Sequence, residues 1–490
     1  MALSGAVVAL LYLLLCSGGG GALFRDADAG WHIRAGELIL ANGTLPHSDP
    51  FSFSKPGAPW IAWEWGADVL VAVAHRAAGL SGVAWLYALA IAASVWMWFR
   101  LNWVAGGNFL LACLFAAPML STTNLHWLAR PHVFGWLALL GMVWLCEMWG
   151  RRSRLPALHL AAIAATSAIW ANVHGSFFLA PLIALVYAAG AWLRPRIWDC
   201  APSVDARQYL LIAIAAALGS LANPNGWQLH RHVFEYLTNS ALLDRIGEFQ
   251  SFNFHAAGAT QILLALLLGA AGGFAALTAR RPERFLLAML LTAAALRSAR
   301  LLPIAALVLL PLANGSITTV LANASLAPRL RAALDNFLDY GLRLRALDRR
   351  MNGYALVPLL ALAAFFAIRA THPAFAPDQF PVAASSAVAT LPGDARIFSS
   401  DKFGGYLIYR FAGARKVFFD GRSDFYGADF LRHYERMVQV RPGWQREFAS
   451  WGFTHALLPA DFSLVPALEA QGWRELWRDH TAVLLESPGA

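Results

Sequence analysis

RDADAGWHIRAGELILANGTLPHSDPFSFSKPGAPWIAWEW, residues 25–65, lies between two apolar runs, each long enough to cross a bilayer. It gathers Asp26, Asp28, His32, Arg34, Glu37, His47, Asp49 and Glu64, interleaved with Trp31, Trp60, Trp63 and Trp65. Ionisable side chains are costly beside hydrocarbon and tend to be kept there for a use. A charged, aromatic loop held against a membrane is therefore a candidate active site.

Around this loop the chain is apolar. Of 490 residues 58% are hydrophobic and 14% charged, with a mean hydropathy of +0.50, well outside the range of soluble domains. This composition predicts a polytopic α-helical membrane protein. The net charge of +9 comes almost entirely from arginines in short clusters between apolar runs. That pattern reads as membrane topology, and no basic module accompanies it, which excludes nucleic acid as a partner. Lysine occurs only at Lys55, Lys402 and Lys416, and the Ala, Leu and Arg richness points to a GC-rich bacterial genome. Cys16, Cys113, Cys146 and Cys200 show no metal-ligand spacing, so neither a zinc site nor a disulfide framework is expected. Cys16 in LLLCSGGG has no basic stretch before it and Leu15 at its side, which favours an uncleaved first membrane helix over a signal peptide.

Windows of about 20 apolar residues place about eleven spanning helices. They lie near 4–23, 80–99, 106–122, 132–149, 155–172, 176–193, 208–222, 258–279, 285–299, 301–321 and 353–369. Arg100, the group Arg151/Arg152/Arg154, the group Arg194/Arg196/Arg207, the group Arg280/Arg281/Arg284 and the 329–350 segment then all fall on one side. By the positive-inside rule that side is the cytoplasm. The N-terminus is then cytoplasmic, and everything after about Thr371 lies outside. The Arg-rich segment 326–350 reads as an amphipathic interfacial helix touching anionic lipid.

Residues 1–370 thus form a transmembrane domain with its first outer loop at 24–66, and residues 371–490 a periplasmic α/β domain, at the bacterial inner membrane. In the second part, strands are expected at 395–400, 415–421, 454–460 and 481–487, and helices at 404–412, 426–440 and 461–472. It has no phosphate-binding Gly-rich loop.

Asp26 and Asp28 follow the first helix directly. A helix starting near Ala29 makes Asp28 its N-cap, which accounts for one acid but not for Asp26, His32, Arg34 and Glu37 beside it. Arg130 and His132 in LARPH, and Arg297 and Arg300 in RSAR, sit at outer helix ends, where a guanidinium suits a phosphate. The plainer reading of these arginines is an interface anchor. His174 in WANVHGSFF and the NPNGWQLHRH segment (223–232) mark further outer ends, as polar caps or as the lining of a sugar pocket. In FFDGRSDFYG (418–427), the simpler reading is a strand ending in a charged turn. The alternative is that Asp420, Arg422, Asp424 and Tyr426 reach back to the membrane site.

DAGWHIR at 28–34 resembles the first-outer-loop motif of oligosaccharyltransferase catalytic subunits, and the pattern DADAGWHIRAGELILANGTLPHSDPFSF with its following PW and EW is similar to membrane glycosyltransferases of the GT-C superfamily. The resemblance implies transfer of a sugar from a polyprenyl-phosphate donor to an acceptor on the outer membrane face, by an inverting reaction. It assigns the catalytic carboxylate to Asp28, with Asp26 next; His32 and Arg34 of the same motif, and Arg130, His174, Arg297 and Arg300 at the outer helix ends, are the candidate substrate-binding residues. No metal ligands are assigned, and a divalent ion such as Mg or Mn is a possible cofactor. The WWDYG sequence by which oligosaccharyltransferases hold a peptide is missing, so the acceptor stays open. A transporter or flippase, and a non-catalytic membrane assembly protein, are the alternative classes. Polar residues at mid-membrane depth and inverted repeats would mark a transporter, and neither is evident.

Overall fold

The computed structural model describes residues 2–16, 18–149, 155–199, 205–351 and 353–489. Arg151, Arg152, Arg154 and Cys200 lie outside the described residues. Each of the eleven apolar windows falls on a helix: α1 (Ala2–Cys16), α3 (Trp65–Val104), α4 (Phe109–Asn124), α5 (His132–Met148), α6 (Ala157–Val173), α7 (Leu179–Trp198), α8 (Ala206–Ser220), α11 (Ala259–Thr278), α12 (Pro282–Arg297), α13 (Leu302–Ala322) and α15 (Val357–Ala370). Between them lie α2 (Asp28–Asn42), α9 (Trp227–Thr238), α10 (Ser240–Leu243) and α14 (Pro328–Arg350). Among the described residues α3 and the runs Gly175–Trp198, Ala259–Thr278, Ala299–Ala322 and Gly353–Ala370 are long and apolar enough to cross a membrane. Leu3–Leu15, α4, α5, α6 and α8 are shorter apolar helices.

Small residues let these helices touch. A Cβ added to Gly272 on α11 would lie 2.1 Å from that of Ala313 on α13, and one added to Gly219 on α8 would lie 2.1 Å from the Ala164 carbonyl on α6. In lipid, where association relies on close packing rather than on the hydrophobic effect, that proximity is what holds helix pairs.

α3 is two helices joined at a break. Gly79 adopts φ 59°, ψ −148°, and Ala78 before it is also non-helical. The apolar window starting at 80 is the second half, and the first half, from Trp65, stands against α2. Nothing lies within 4 Å of a Cβ placed on Gly79, so a side chain there meets only backbone strain. Gly79→Ala is expected to cost about 1–3 kcal/mol in unfolding measured in detergent, while a Gly79 variant as stable as wild type would show that the bend relaxes.

The chain after α15 adds α16 (Ala384–Thr390), β1 (Ile397–Ser399), α17 (Asp401–Arg410), α18 (Ser423–Val438), α19 (Trp444–Ser450), β2 (His455–Pro459), α20 (Leu464–Glu469), β3 (Arg474–Arg478) and β4 (Ala482–Glu486). The sheet order is β1-β2-β4-β3, with β1 parallel to β2 and the other pairs antiparallel. Three of the four expected strands are therefore present, and the stretch at 415–421 is not one of them. Val417 instead exchanges two 3.0 Å backbone hydrogen bonds with the first loop, giving its N–H to the Phe51 carbonyl and taking the N–H of Phe53. Its apolar neighbours explain the choice: Phe418 packs on Phe53, with ring centroids 6.0 Å apart. The fourth strand is the polar, exposed edge strand RELWR, which lacks the alternation that marks a strand in sequence.

One apolar core contains Trp31, Phe51, Trp60 and Ala62 of the first loop together with Phe398, Phe418 and Leu484 of the C-terminal segment. The loop is built into that segment.

Candidate functional site

α2 begins at Asp28. The N-cap position is Ala27, so Asp28 is the first helical residue rather than the cap expected from its sequence. Its N–H is met by Asp26 Oδ1 at 2.9 Å, which leaves the Asp28 carboxylate free to point elsewhere. Its Oδ2 lies 2.8 Å from Arg130 Nη2. The same guanidinium donates through Nη1 to Asp26 Oδ2 (2.8 Å) and to Glu248 Oε1 (3.0 Å). The other oxygen of Glu248 lies 3.3 Å from Arg300 Nη1. A continuous polar chain therefore runs Asp28–Arg130–Glu248–Arg300.

The wall facing Asp28 comes from the far end of the chain. A Cβ on Gly421 would lie 1.8 Å from Asp28 Oδ1, so backbone meets carboxylate there with no room for a side chain. α17 approaches α2 equally closely, since a Cβ on Gly30 would lie 2.4 Å from the Gly405 carbonyl. The result is a cavity of about 370 Å³ lined by Arg25, Asp26, Asp28, Asp401, Lys402 and Gly421.

Burial sets the electrostatics. It pushes the Asp28 carboxyl up to about 7, with Arg130 pulling the other way. Burial opposes the charge of Arg130 too, yet the carboxylates around it hold its pKa well above the ordinary value. Glu248, although half-buried, is kept below the usual carboxylate range by Arg130 and Arg300. Behind the cavity, His32 Nδ1 lies 2.6 Å from Asp68 Oδ1, and Glu64 sits between His32 (3.8 Å) and His174 (3.5 Å). Burial pushes Glu64 up to about 8, so it is mostly protonated at neutral pH.

A second cavity of about 520 Å³ opens on the other side of Glu64. Its walls include Phe178, Leu179, Val233, Leu301 and Ile304, and its polar lining includes Glu64, His174, Asp244, Gln250, Arg297 and Arg300. An elongated apolar group with an anionic end fits this lining. His174 also caps the turn after α6, its Nδ1 accepting the Ser176 N–H at 3.2 Å.

Of the residues singled out from sequence, Asp26 and Asp28 line the first cavity, and Arg130 pairs with both of them. His174, Arg297 and Arg300 line the second, and His32 lines neither but lies 3.8 Å from Glu64. Arg34 is elsewhere: it donates to the Tyr409 carbonyl at 3.0 and 2.6 Å and pairs with Glu37, tying α2 to α17. The 418–427 stretch departs from its simpler reading. Arg422 is buried, with Asp49 of the first loop at 2.8 Å and Asp420 at 2.7 Å, and Asp424 meets His232 at 3.1 Å. Asp420, Arg422 and Tyr426 thus cluster on Asp49 of the first loop and Asp424 on α9, so these side chains pack beside the site rather than on Asp28 and Arg130.

Glu248, Asp68, Lys402 and Gly421 were not among the expected site residues. Two of them carried a signal: Lys402 is one of three lysines in the chain, and Gly421 sits inside a charged motif.

The donor set does not fit a divalent ion. Oxygen ligation at about 2.0–2.6 Å needs carboxylate oxygens converging on one point. At the point where Asp26, Asp28 and Glu248 converge stands the Arg130 guanidinium, and each of the three has an oxygen committed to it. Among the described residues no group of three or more His, Cys, Asp or Glu side chains is arranged to hold a metal.

No family model matches the sequence, and no curated protein matches it. Solved structures do match. The oligosaccharyltransferase of Archaeoglobus fulgidus in the apo form superposes with a TM-score of 0.54 at 12% identity, covering 94% of this chain and 69% of that one. The same enzyme with an inhibitory peptide and a dolichol-phosphate gives 0.53 at 12% identity, with the same coverage. Its complex with Zn and sulfate gives 0.50 at 11%, covering 94% and 68%. ArnT from Cupriavidus metallidurans in the apo state gives 0.49 at 14%, covering 99% and 98%. The likeness holds at the level of the fold: this chain shares the architecture of the archaeal oligosaccharyltransferase.

Proposed function

We propose that this chain, built on a fold shared with lipid-linked glycosyltransferases, transfers a sugar from a polyprenyl-phosphate donor to an acceptor on the outer face of a bacterial inner membrane. The observation that carries the reading is the placement of Asp28, on a polar cavity and joined through Arg130 and Glu248 to the arginine-lined end of an apolar groove. The archaeal enzyme of like fold has been seen with a dolichol-phosphate, a ligand whose long apolar chain and phosphate match the character of this groove. In this reading residues 1–370 are the membrane part, with eleven crossings, and residues 371–490 are periplasmic. The arginine clusters on one side support that orientation.

The chemistry follows from the positions. The polyprenyl chain occupies the apolar groove and its phosphate meets Arg297 and Arg300, whose fixed charges stabilise the negative charge that grows as the sugar–phosphate bond breaks. The sugar projects past Glu64 toward Asp28. Asp28 takes the proton of the acceptor hydroxyl while the new glycosidic bond forms on the opposite face of the anomeric carbon, inverting it. Arg130 orients the Asp28 carboxylate and balances its charge, and no step is assigned to a metal.

Membranes containing the protein, supplied with a panel of radiolabelled polyprenyl-phosphate sugars, test this directly. One donor is expected to be consumed. Arg300→Ala is expected to raise KM for that donor about 10- to 100-fold, the value of a charge-assisted hydrogen bond, with a smaller change in kcat. If no donor is consumed by a correctly inserted protein, the transport and assembly readings take its place.

A further inference from the structure

α5 starts two residues after Arg130 and runs 17 residues to Met148, about 25 Å at 1.5 Å per residue. At that far end is a cavity of about 380 Å³ lined by Arg100, Trp103, Glu147, Met148, Arg345 and Arg349. Three guanidiniums from two different helices, α3 and α14, therefore face one space on the side of the bundle away from Asp28.

Among the described residues lining this cavity, arginines outnumber carboxylates three to one. Glu147 is the carboxylate among its described lining residues, and it is committed elsewhere. Its Oε2 takes Arg284 Nη2 at 2.9 Å, and its Oε1 takes the Tyr187 hydroxyl at 2.9 Å and Arg281 Nη2 at 3.1 Å. Arg345 is half-buried, with a buried Nε that has no hydrogen-bond partner among the described residues. Its Nη2 makes a long 3.4 Å bond to the Trp103 carbonyl, and its guanidinium stands 5.4 Å from the Trp103 ring centre. Burial and the neighbouring charges of Arg349 and Arg100 lower its pKa, a cost that a bound anion relieves.

The surroundings say which anion. α14 exposes Leu342 and Leu347 beside these arginines, and Met351 follows at its end. Trp96 and Trp103 sit at the same end of α3, as aromatic side chains do at a membrane interface. A ligand here finds apolar contacts for hydrocarbon and planar, forked donors for two phosphate oxygens at once. We infer that this cavity is a binding site for the phosphate of an anionic phospholipid headgroup, on the face of the membrane opposite the transfer site.

Native mass spectrometry of the full-length, delipidated protein in detergent tests it without any transfer assay. From an equimolar mixture of phosphatidylglycerol and phosphatidylcholine, the wild type is expected to retain the anionic lipid about tenfold better, the scale of one charge-assisted contact. The Arg345→Ala/Arg349→Ala double variant loses that preference. Arg343→Ala, an exposed arginine on the same helix that does not line the cavity, keeps it. Should the double variant unfold, Arg345→Gln keeps the size of the side chain and is expected to lose the preference alone. Equal retention of the two lipids by wild type, or a preference that survives in the folded cavity variants, overturns the inference. So does full displacement by inorganic phosphate at the lipid's own concentration, which would mark a site for free phosphate.

Discussion

Asp28→Asn is expected to lower sugar transfer about 100- to 10,000-fold, the usual contribution of a positioned general base, in a protein that unfolds at nearly the wild-type temperature. The amide keeps the shape that fits against Gly421 and can still accept one bond from Arg130, while Asp26 and Glu248 continue to hold that guanidinium. What it loses is the ability to take a proton. The pH profile provides a second readout. With burial holding Asp28 up to about 7, the base is ionised above that pH and protonated below it. The wild-type rate is therefore expected to rise with pH through about 7 and to fall about tenfold per unit well below it. Residual activity in the Asn variant should lack this limb. Wild-type transfer by Asp28→Asn would reduce Asp28 to an acid in the first turn of a helix and remove the catalytic assignment.

Arg422→Ala is expected to destabilise the protein by about 3–5 kcal/mol, the penalty of breaking a buried ion pair from one side. The case is strong because both partners are acids with no exposed side chain: Asp49 and Asp420 are 0% accessible and lie at 2.8 and 2.7 Å. Removing Arg422 leaves two carboxylates in a space walled by Phe51, Trp60 and Phe425, whose ring centres lie 4.9–5.2 Å from the guanidinium. Arg422→Lys restores charge but not the two-pronged grip, in which Nε and Nη2 bind both oxygens of Asp420 at 2.8 and 2.7 Å. It should recover only part of the loss. Unfolding in detergent, followed by tryptophan fluorescence, measures both. A variant within about 0.5 kcal/mol of wild type, the range of an ordinary surface change, would mean that the pair is not what joins the loop to the C-terminal segment.

The helices were legible because lipid leaves the sequence little freedom. A spanning segment must satisfy its own backbone and must be apolar, so eleven windows could be read off by hydropathy alone. The first-loop acids were legible because charge is rare in this chain and its placement conspicuous. Contacts between distant segments were not legible. RKVFFDG has every local property of a strand, and only the aromatic surface of the first loop, more than 350 residues away, diverts it from the sheet. Glu248 is one of several acids in the stretch between α8 and α11, and nothing local separates it from Glu235, which pairs on the surface with Arg231. Arg34 shows the converse. Its spacing from Asp28 places it near the site in sequence, but six residues along a helix turn it to another face, where Tyr409 takes it.

The docking of the C-terminal segment onto the first loop also has a consequence for biogenesis. Contacts such as that of Arg34 with Tyr409 span 375 positions, and Gly421, which closes the wall against Asp28, comes 393 positions after it. Synthesis runs from the N-terminus, so the carboxylates are in place long before the backbone that shapes their pocket exists. A nascent chain anchored by its early helices therefore holds an open, unfinished cleft. The pocket closes only when the C-terminal segment has folded onto the loop, so the candidate site is assembled late, by a contact between distant parts of the chain.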